Sequence, residues 1–180
     1  MQQYQDEELI EMLKVNGKEF TLSLIVNKYK EPLYWHIRKI TIDHDDADDV
    51  LQNTFIKAWK GLDGFRADSK LYTWLYRIAT NESINFLKGK KKKATFPIDI
   101  NDEMLNKLES DVYFNGDEIQ FKLQKAIMQL PDKQRIVFNM KYFDNITYNQ
   151  MSAILETSEG ALKASYHHAV KKIEEFLKSN

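Results

Sequence analysis

Apolar residues recur at intervals of three and four along most of the chain, and this spacing predicts α-helices. Glycine and proline are scarce and runs of β-branched residues are short, which argues against strands. We therefore predict an all-α protein, in which Asp6 and Asp45 are candidate N-caps. The predicted helices cover residues 6–15, 19–40, 47–61, 70–88, 117–129, 132–143, 147–155 and 159–177.

Residues 94–116 lack this periodicity and differ in charge from the rest of the chain. They include Pro97 and Gly116, and they carry one basic residue against five acidic ones. The flanking segments are nearly balanced, with 16 basic and 14 acidic residues in 1–93 and nine and eight in 117–180. The change in composition predicts two small helical bundles joined by an acidic linker.

Composition excludes several classes of protein and site. The 180 residues include no cysteine, so neither a disulfide nor a thiolate metal site is possible. The sequence contains no run of about 18 apolar residues, which a membrane span would require. Its acidic start lacks the basic and then apolar layout of a signal peptide. The acidic cluster at 43–49 lacks the glycine and distal glutamate of an EF-hand. The adjacent His167 and His168 would point about 100° apart on a helix, so they cannot easily bind one metal ion together. We expect a cytoplasmic protein without metal, cofactor or membrane insertion.

Residues 147–172 have the pattern of a helix-turn-helix. A short helix with an apolar inner face is followed by a three-residue turn at 156–158 and a longer helix. The second helix of this motif fits the major groove of DNA. On spacing alone, a plain helical hairpin with a solvated basic face is an equal alternative. The outward residues are Lys163, Ala164, His167, His168, Lys171 and Lys172.

The helix at 70–88 carries a second candidate DNA surface. A polar face opposes its apolar stripe, and lysines 90–93 follow it. Lysine and arginine neutralise phosphates, while asparagine and threonine can hydrogen-bond to bases. The preceding loop and Tyr72 could stack an unpaired base, whereas Trp74 is more simply a core residue. The apolar stripe is Leu71, Trp74, Leu75 and Ile78, and the polar face is Lys70, Thr73, Arg77, Asn81, Asn85 and Lys88.

Several motifs resemble a known family when taken together and in order. Residues 46–55 (DADDVLQNTF), 65–68 (FRAD) and 73–81 (TWLYRIATN) resemble region 2 of bacterial sigma factors. Residues 130–138 (LPDKQRIVF) and the helix-turn-helix resemble region 4. No segment is long enough for a region 3. This layout resembles the extracytoplasmic-function sigma factors, group 4 of the sigma-70 family.

The resemblance implies a transcription initiation factor that is not an enzyme. Such a protein binds core RNA polymerase, directs it to promoters through the minus-10 and minus-35 elements and promotes DNA melting. An anti-sigma factor is a further implied partner. The polymerase-binding residues implied are Asp49, Gln52 and Asn53. The minus-10 residues implied are Phe65, Arg66, Asp68, Ser69, Tyr72, Arg77, Asn81, Asn85 and Lys88. The minus-35 residues implied are Glu159, Lys163, Ser165, His167, His168 and Lys171.

The chain departs from the family pattern at three places. Asn53 stands where an acid is usual, and Glu156 stands in the turn where glycine is usual. The recognition helix has no arginine where several are usual, which implies minus-35 recognition that leans to A·T pairs or relies on DNA shape. Two alternatives stay open: a stand-alone helix-turn-helix regulator that binds DNA as a dimer, and an adaptor that binds only protein. The motifs between residues 46 and 81 disfavour both.

Overall fold

The structure, a computed structural model, describes residues 4–65, 69–93 and 118–179. Within these ranges it contains eight α-helices, one short 3-10 helix and no strand, so the all-α prediction is confirmed. The predicted linker lies outside the described residues. The helices are α1 (Asp6–Asn16), α2 (Lys18–Thr41), α3 (His44–Gly61), α4 (Leu71–Lys93), α5 (Glu118–Met128), α6 (Asp132–Tyr142), α7 (Tyr148–Leu155) and α8 (Glu159–Ser179), and the 3-10 helix is Leu62–Gly64.

The start of α3 shows how capping sets a helix end. Asp43 is the N-cap, and its side chain accepts a hydrogen bond of 2.9 Å from the backbone N–H of Asp46. The helix therefore begins three residues earlier than predicted, and the acids that follow lie in its first turns, where the helix dipole favours negative charge. The predicted N-caps Asp6 and Asp45 were wrong. Gln5 caps α1 through a capping box with Glu8, and Asp43 rather than Asp45 caps α3.

The N-terminal helices pack around one core. Helices α2, α3 and α4 contact one another, and α1 lies against α2 and α4. In the predicted stripe of α4, Leu71 and Leu75 are buried, and Trp74 and Ile78 pack partly buried against the core. The core reading of Trp74 is thus confirmed. Thr73 was predicted on the polar face but is buried, because α4 packs against α1, α2 and α3 on more of its surface than one apolar stripe.

The C-terminal helices form the predicted helix-turn-helix and its support. Helix α8 packs against α5, α6 and α7 through Leu162, Ala169 and Ile173. Thr147 caps α7 with the predicted capping box, and Glu156 ends that helix in the left-handed region at φ 51°. Ile119 is 76% exposed although it continues the helical spacing of Leu123 and Ala126, since the packed part of α5 starts at Phe121 and Leu123.

The two groups of helices also contact each other. Helix α6 lies against α2, and α7 lies against α4. The carboxylate of Asp144, just after α6, accepts a hydrogen bond of 2.7 Å from Nδ1 of buried His36 and pairs with Lys39. Asn139 Nδ2 donates to the backbone carbonyl of Lys39 at 3.0 Å. Buried polar contacts therefore fix how the two groups meet.

The electrostatics of Asp144 favour its charged form. Burial alone would raise the pKa of this carboxyl group, but the hydrogen bond from His36 and the positive charge of Lys39 outweigh burial and hold the pKa below its ordinary value. The folded state therefore binds this proton more weakly than the unfolded state does. The resulting stabilisation is present above the unfolded pKa of about 3.9 and is lost as the pH falls through the folded pKa.

We expect Asp144→Asn to lower the free energy of unfolding by about 2 kcal/mol at pH 7, because a hydrogen-bonded charge is lost. The difference between variant and wild type should shrink as the pH falls below about 4. Urea unfolding at several pH values measures both effects. The exposed Asp48→Asn is the control and should change little. A difference that does not depend on pH would contradict the assignment.

Candidate nucleic-acid interface

One side of α4 carries polar residues at helical intervals over more than two turns. Arg77, Asn81, Asn85 and Lys88 follow one another at steps of four, four and three residues. The last three are exposed, and Arg77 is partly buried. This side therefore offers two amide groups, which can hydrogen-bond to base edges, between two cations that can contact phosphates.

Aromatic rings lie where α4 begins. Phe65, which precedes the helix, has its ring 5.1 Å from that of Trp74, and the rings of Tyr72 and Tyr76 are 4.2 Å apart. Phe65, Ser69 and Tyr72 are all partly buried, so each keeps some access to solvent. The other two residues predicted for this site, Arg66 and Asp68, lie outside the described residues.

Gly61 lets the chain approach the Trp74 ring closely, and the hydroxyl group of Tyr72 is protonated. A Cβ atom on Gly61 would lie 3.1 Å from Cζ2 of Trp74, so glycine permits the close approach of the chain to this ring. Burial raises the pKa of Tyr72 to about 12, so its hydroxyl group stays protonated in the physiological range. The start of α4 is thus an aromatic platform with a neutral phenol beside it.

The three residues predicted to bind polymerase share one exposed side of α3. Asp49, Gln52 and Asn53 are all exposed, and Ile56, one turn further, is 44% exposed. The opposite side of α3 is buried in the core at Ala47, Val50, Thr54 and Ala58. A single exposed apolar residue is ordinary for a protein surface, so what marks this side is that it is open to a partner along its polar residues.

The outward side of α8 matches the predicted basic face. Lys163, His167, His168 and Lys171 are exposed, while Ser165 is partly buried. Both of these lysines lie near acids on the same helix: Lys163 Nζ is 3.7 Å from a carboxylate oxygen of Glu159, and Lys171 Nζ is 3.9 Å from one of Glu175. Glu159 also contacts the first helix of the motif. Its other carboxylate oxygen accepts a weak hydrogen bond of 3.4 Å from Asn149.

Sequence patterns missed two residues that matter for this surface. Glu156, in the turn of the helix-turn-helix, lies with Oε1 3.8 Å from Nη1 of Arg77 on α4. The carboxylate of Asp6 in α1 accepts a hydrogen bond of 3.2 Å from the backbone N–H of Tyr72. Both contacts join helices far apart in the sequence, so periodicity carries no signal for either.

The described residues hold no group of three histidine, cysteine, aspartate or glutamate side chains arranged to bind a metal ion. None of the described helices is long and apolar enough to cross a membrane.

Comparisons with known proteins match both halves of the chain. The family model for Sigma-70 region 2 matches residues 25–93, and the model for Sigma-70 region 4 matches residues 120–173. The chain is 29% identical to the RNA polymerase sigma-H factor of Pseudomonas aeruginosa, over 97% of this chain and 95% of that protein. It is 28% identical to the ECF RNA polymerase sigma factor SigW of Bacillus subtilis, over 90% of this chain and 91% of that protein.

Solved structures share the fold along the whole chain. CnrH, in complex with the cytosolic domain of CnrY, gives a TM-score of 0.71 at 21% identity and covers 97% of this chain and 98% of its own. The sigma factor RpoE of Bartonella quintana, in complex with the anti-sigma factor NepR, gives a TM-score of 0.67 at 22% identity. The match covers 89% of this chain and 98% of the RpoE chain.

Two sigma-70 regions in their usual order, with relatives that match over nearly the full length, exclude a stand-alone helix-turn-helix regulator and an adaptor that binds only protein. The chain belongs to the extracytoplasmic-function group of the sigma-70 family and is a transcription initiation factor that binds core RNA polymerase and promoter DNA.

Proposed function

We propose that this sigma factor acts in the cytoplasm, where α3 contacts core polymerase, α4 and the loop before it bind and melt the minus-10 element, and α8 binds the minus-35 element. The observation that carries the proposal is that α3, α4 and α8 each bury one side in the core and turn a polar side outward. The outward sides differ in chemistry, which suits three different contacts.

The proposed polymerase surface is the side of α3 that carries Asp49, Gln52 and Asn53. An exposed acid and two exposed amides provide hydrogen-bonding groups, and Ile56 adds apolar area. Asn53 replaces the acid that is usual in the family, so this surface has one negative charge fewer. We propose that Asp49 and Gln52 therefore supply most of the polar binding energy.

We expect Asp49→Ala combined with Gln52→Ala to weaken binding to core polymerase at least tenfold, because hot-spot contacts of this kind each contribute about 1 kcal/mol or more. The melting temperature should stay unchanged, since both side chains are exposed. Lys14→Ala in α1, also exposed, is the matched control. Run-off transcription with purified core polymerase tests the whole proposal: no promoter-specific transcript from wild type would reject it.

The proposed minus-10 surface combines the polar side of α4 with the aromatic platform at its start. Strand opening requires a base to leave the stack, which costs a few kcal/mol that stacking and hydrogen bonds in a pocket must offset. The partly exposed rings of Phe65 and Tyr72 can supply stacking, and Asn81 and Asn85 can supply hydrogen bonds. Arg66, Asp68 and Ser69 complete the proposed pocket by resemblance to the family.

We expect Arg77→Ala combined with Asn81→Ala to reduce open-complex formation at least tenfold while polymerase binding stays within twofold. Each lost contact to a phosphate or base edge is worth about 1 kcal/mol or more. Permanganate reactivity of unpaired thymines measures the open complex. Lys60→Ala on α3, exposed and away from this side, is the control. Unchanged thymine reactivity would show that the minus-10 assignment is wrong.

The proposed minus-35 surface is the outward side of α8, with Lys163, Ser165, His167, His168 and Lys171. Glu159 remains in this proposed set, although its pairing with Lys163 and Asn149 suggests that it orients Lys163 rather than contacting DNA. Arginine, which reads guanine with two hydrogen bonds, is absent from this side. We propose recognition that leans to A·T pairs and depends strongly on phosphate contacts, hence on salt.

The arrangement of helices sets a condition on this function. The minus-10 and minus-35 elements are about 25 base pairs apart by their positions, which is about 85 Å of B-form DNA. Helix α4 and the turn after α7 are in contact, with Arg77 and Glu156 3.8 Å apart. One promoter cannot span both surfaces in this arrangement. We propose that the two groups of helices separate when the protein joins polymerase, and that this breaks the contacts of Asp144.

A distance measurement tests the separation. The chain contains no cysteine, so Lys30→Cys on α2 and Thr157→Cys in the turn before α8 allow specific labelling at exposed positions. We expect the distance between the dyes to rise by tens of ångströms when the labelled protein forms a promoter complex with polymerase. A pair at Lys14 and Lys30, both on the N-terminal helices, should not change. An unchanged distance between Lys30 and Thr157 in a transcribing complex would contradict the proposed opening.

We also propose an anti-sigma partner. The support is the fold similarity to RpoE of Bartonella quintana, which was solved with the anti-sigma factor NepR. Pull-down with the purified protein, followed by transcription assays with the captured partner, tests this: a true anti-sigma factor lowers the yield of transcript.

A further inference from the structure

The residue at the N-cap position of helix α4 cannot cap the helix with its side chain. The backbone carbonyl of Lys70 accepts the first helical hydrogen bond, from Trp74 N–H at 3.1 Å, so Lys70 is at the N-cap position. A lysine side chain has no acceptor. The first N–H groups of a helix have no partner within the helix and need one from elsewhere.

Asp6 supplies an acceptor from the first turn of α1. One carboxylate oxygen accepts the hydrogen bond of 3.2 Å from the backbone N–H of Tyr72, in the first turn of α4. The other oxygen accepts from Lys28 Nζ at 2.7 Å and from the hydroxyl group of Tyr29. Lys28 also donates to the backbone carbonyl of Tyr4 at 2.8 Å. A single carboxylate therefore ties α1 and α2 to the start of α4.

The Asp6 carboxylate is charged, which strengthens its interaction with the N-terminus of α4. Its side chain is 18% exposed, so burial tends to raise its pKa, but the hydrogen bonds from Lys28 and Tyr29 outweigh burial and hold the pKa below the ordinary value. The group is therefore ionised at physiological pH. A negative charge at a helix N-terminus is favoured by the helix dipole, and a charged acceptor makes the stronger hydrogen bond.

We propose that Asp6 is a positioning residue for promoter melting: it holds the first turn of α4, and with it the ring of Tyr72, in the place where a flipped base is received. The proposal rests on the minus-10 pocket described above. Tyr72 carries both the capped N–H and the ring that stacks on Tyr76, so a shift of this turn moves the platform itself. Asp6 lies outside the matched region 2, which starts at residue 25.

The test measures binding of a fluorescent single-stranded DNA to the full chain in complex with core polymerase. The oligonucleotide carries the minus-10 non-template sequence of a promoter that run-off transcription has identified. We expect Asp6→Ala to weaken binding of this oligonucleotide roughly five- to thirtyfold, the range for loss of a helix N-cap. Affinity for core polymerase should stay within twofold. Glu7→Ala is the matched control, because Glu7 is exposed and lies in the same turn of α1.

The outcomes separate this proposal from the pocket itself. If Tyr72→Ala leaves oligonucleotide affinity unchanged, the proposed pocket is wrong. If Tyr72→Ala lowers that affinity and Asp6→Ala does not, the role of Asp6 is wrong. An equal loss of polymerase and oligonucleotide affinity in Asp6→Ala would also overturn it, because Asp6 would then support the whole fold.

A milder variant covers the case in which Asp6→Ala does not fold. Asp6→Asn keeps an acceptor for Tyr72 N–H but removes the charge. We expect about threefold weaker oligonucleotide binding, within the range for loss of a charge near a helix N-terminus, with polymerase affinity unchanged. Wild-type oligonucleotide affinity in this variant would overturn the proposal.

Discussion

The buried carboxylate of Asp144 is the contact on which the arrangement of this protein depends. It joins α6 to α2 by accepting from His36 and pairing with Lys39, while Asn139 hydrogen-bonds to the backbone beside it. For Asp144, the pairing with His36 and Lys39 outweighs the cost of taking the charge out of water. The contact therefore specifies how α6 meets α2. The separation that we propose for the polymerase complex would have to break it.

Helix α4 shows why the closed and open arrangements differ in function. Its inner side belongs to the core, its outer side carries the polar residues from Arg77 to Lys88, and its flank contacts α7. The same arginine that we assign to DNA lies near Glu156 of the helix-turn-helix, and its Nε is buried without a hydrogen-bond partner. Arg77 is therefore poorly satisfied in this arrangement. The separation that we propose would release it from Glu156, so that it could contact DNA.

The start of α4 extends the same argument to the N-terminus. Asp6 lies in α1 but accepts a hydrogen bond from the first turn of α4. Sequence patterns do not reveal this contact, because α4 begins 65 residues later in the chain. The contacts of Asp6 with Lys28 and Tyr29 make α1 a support for the aromatic platform rather than a separate appendage. Regions 2 and 4 thus carry the surfaces, while residues outside the family motifs set where those surfaces lie.

The sequence by itself determined the all-α class, the helix-turn-helix and the family, because helical spacing, capping residues and ordered motifs are local properties. It also predicted which residues of α3, α4 and α8 turn outward, with Thr73 as an error, since burial at the end of a helix depends on its neighbours. The tertiary structure alone decided the partners of Asp6, Asp144 and Glu156. These contacts join residues between 22 and 108 positions apart, and no periodic pattern encodes such distances.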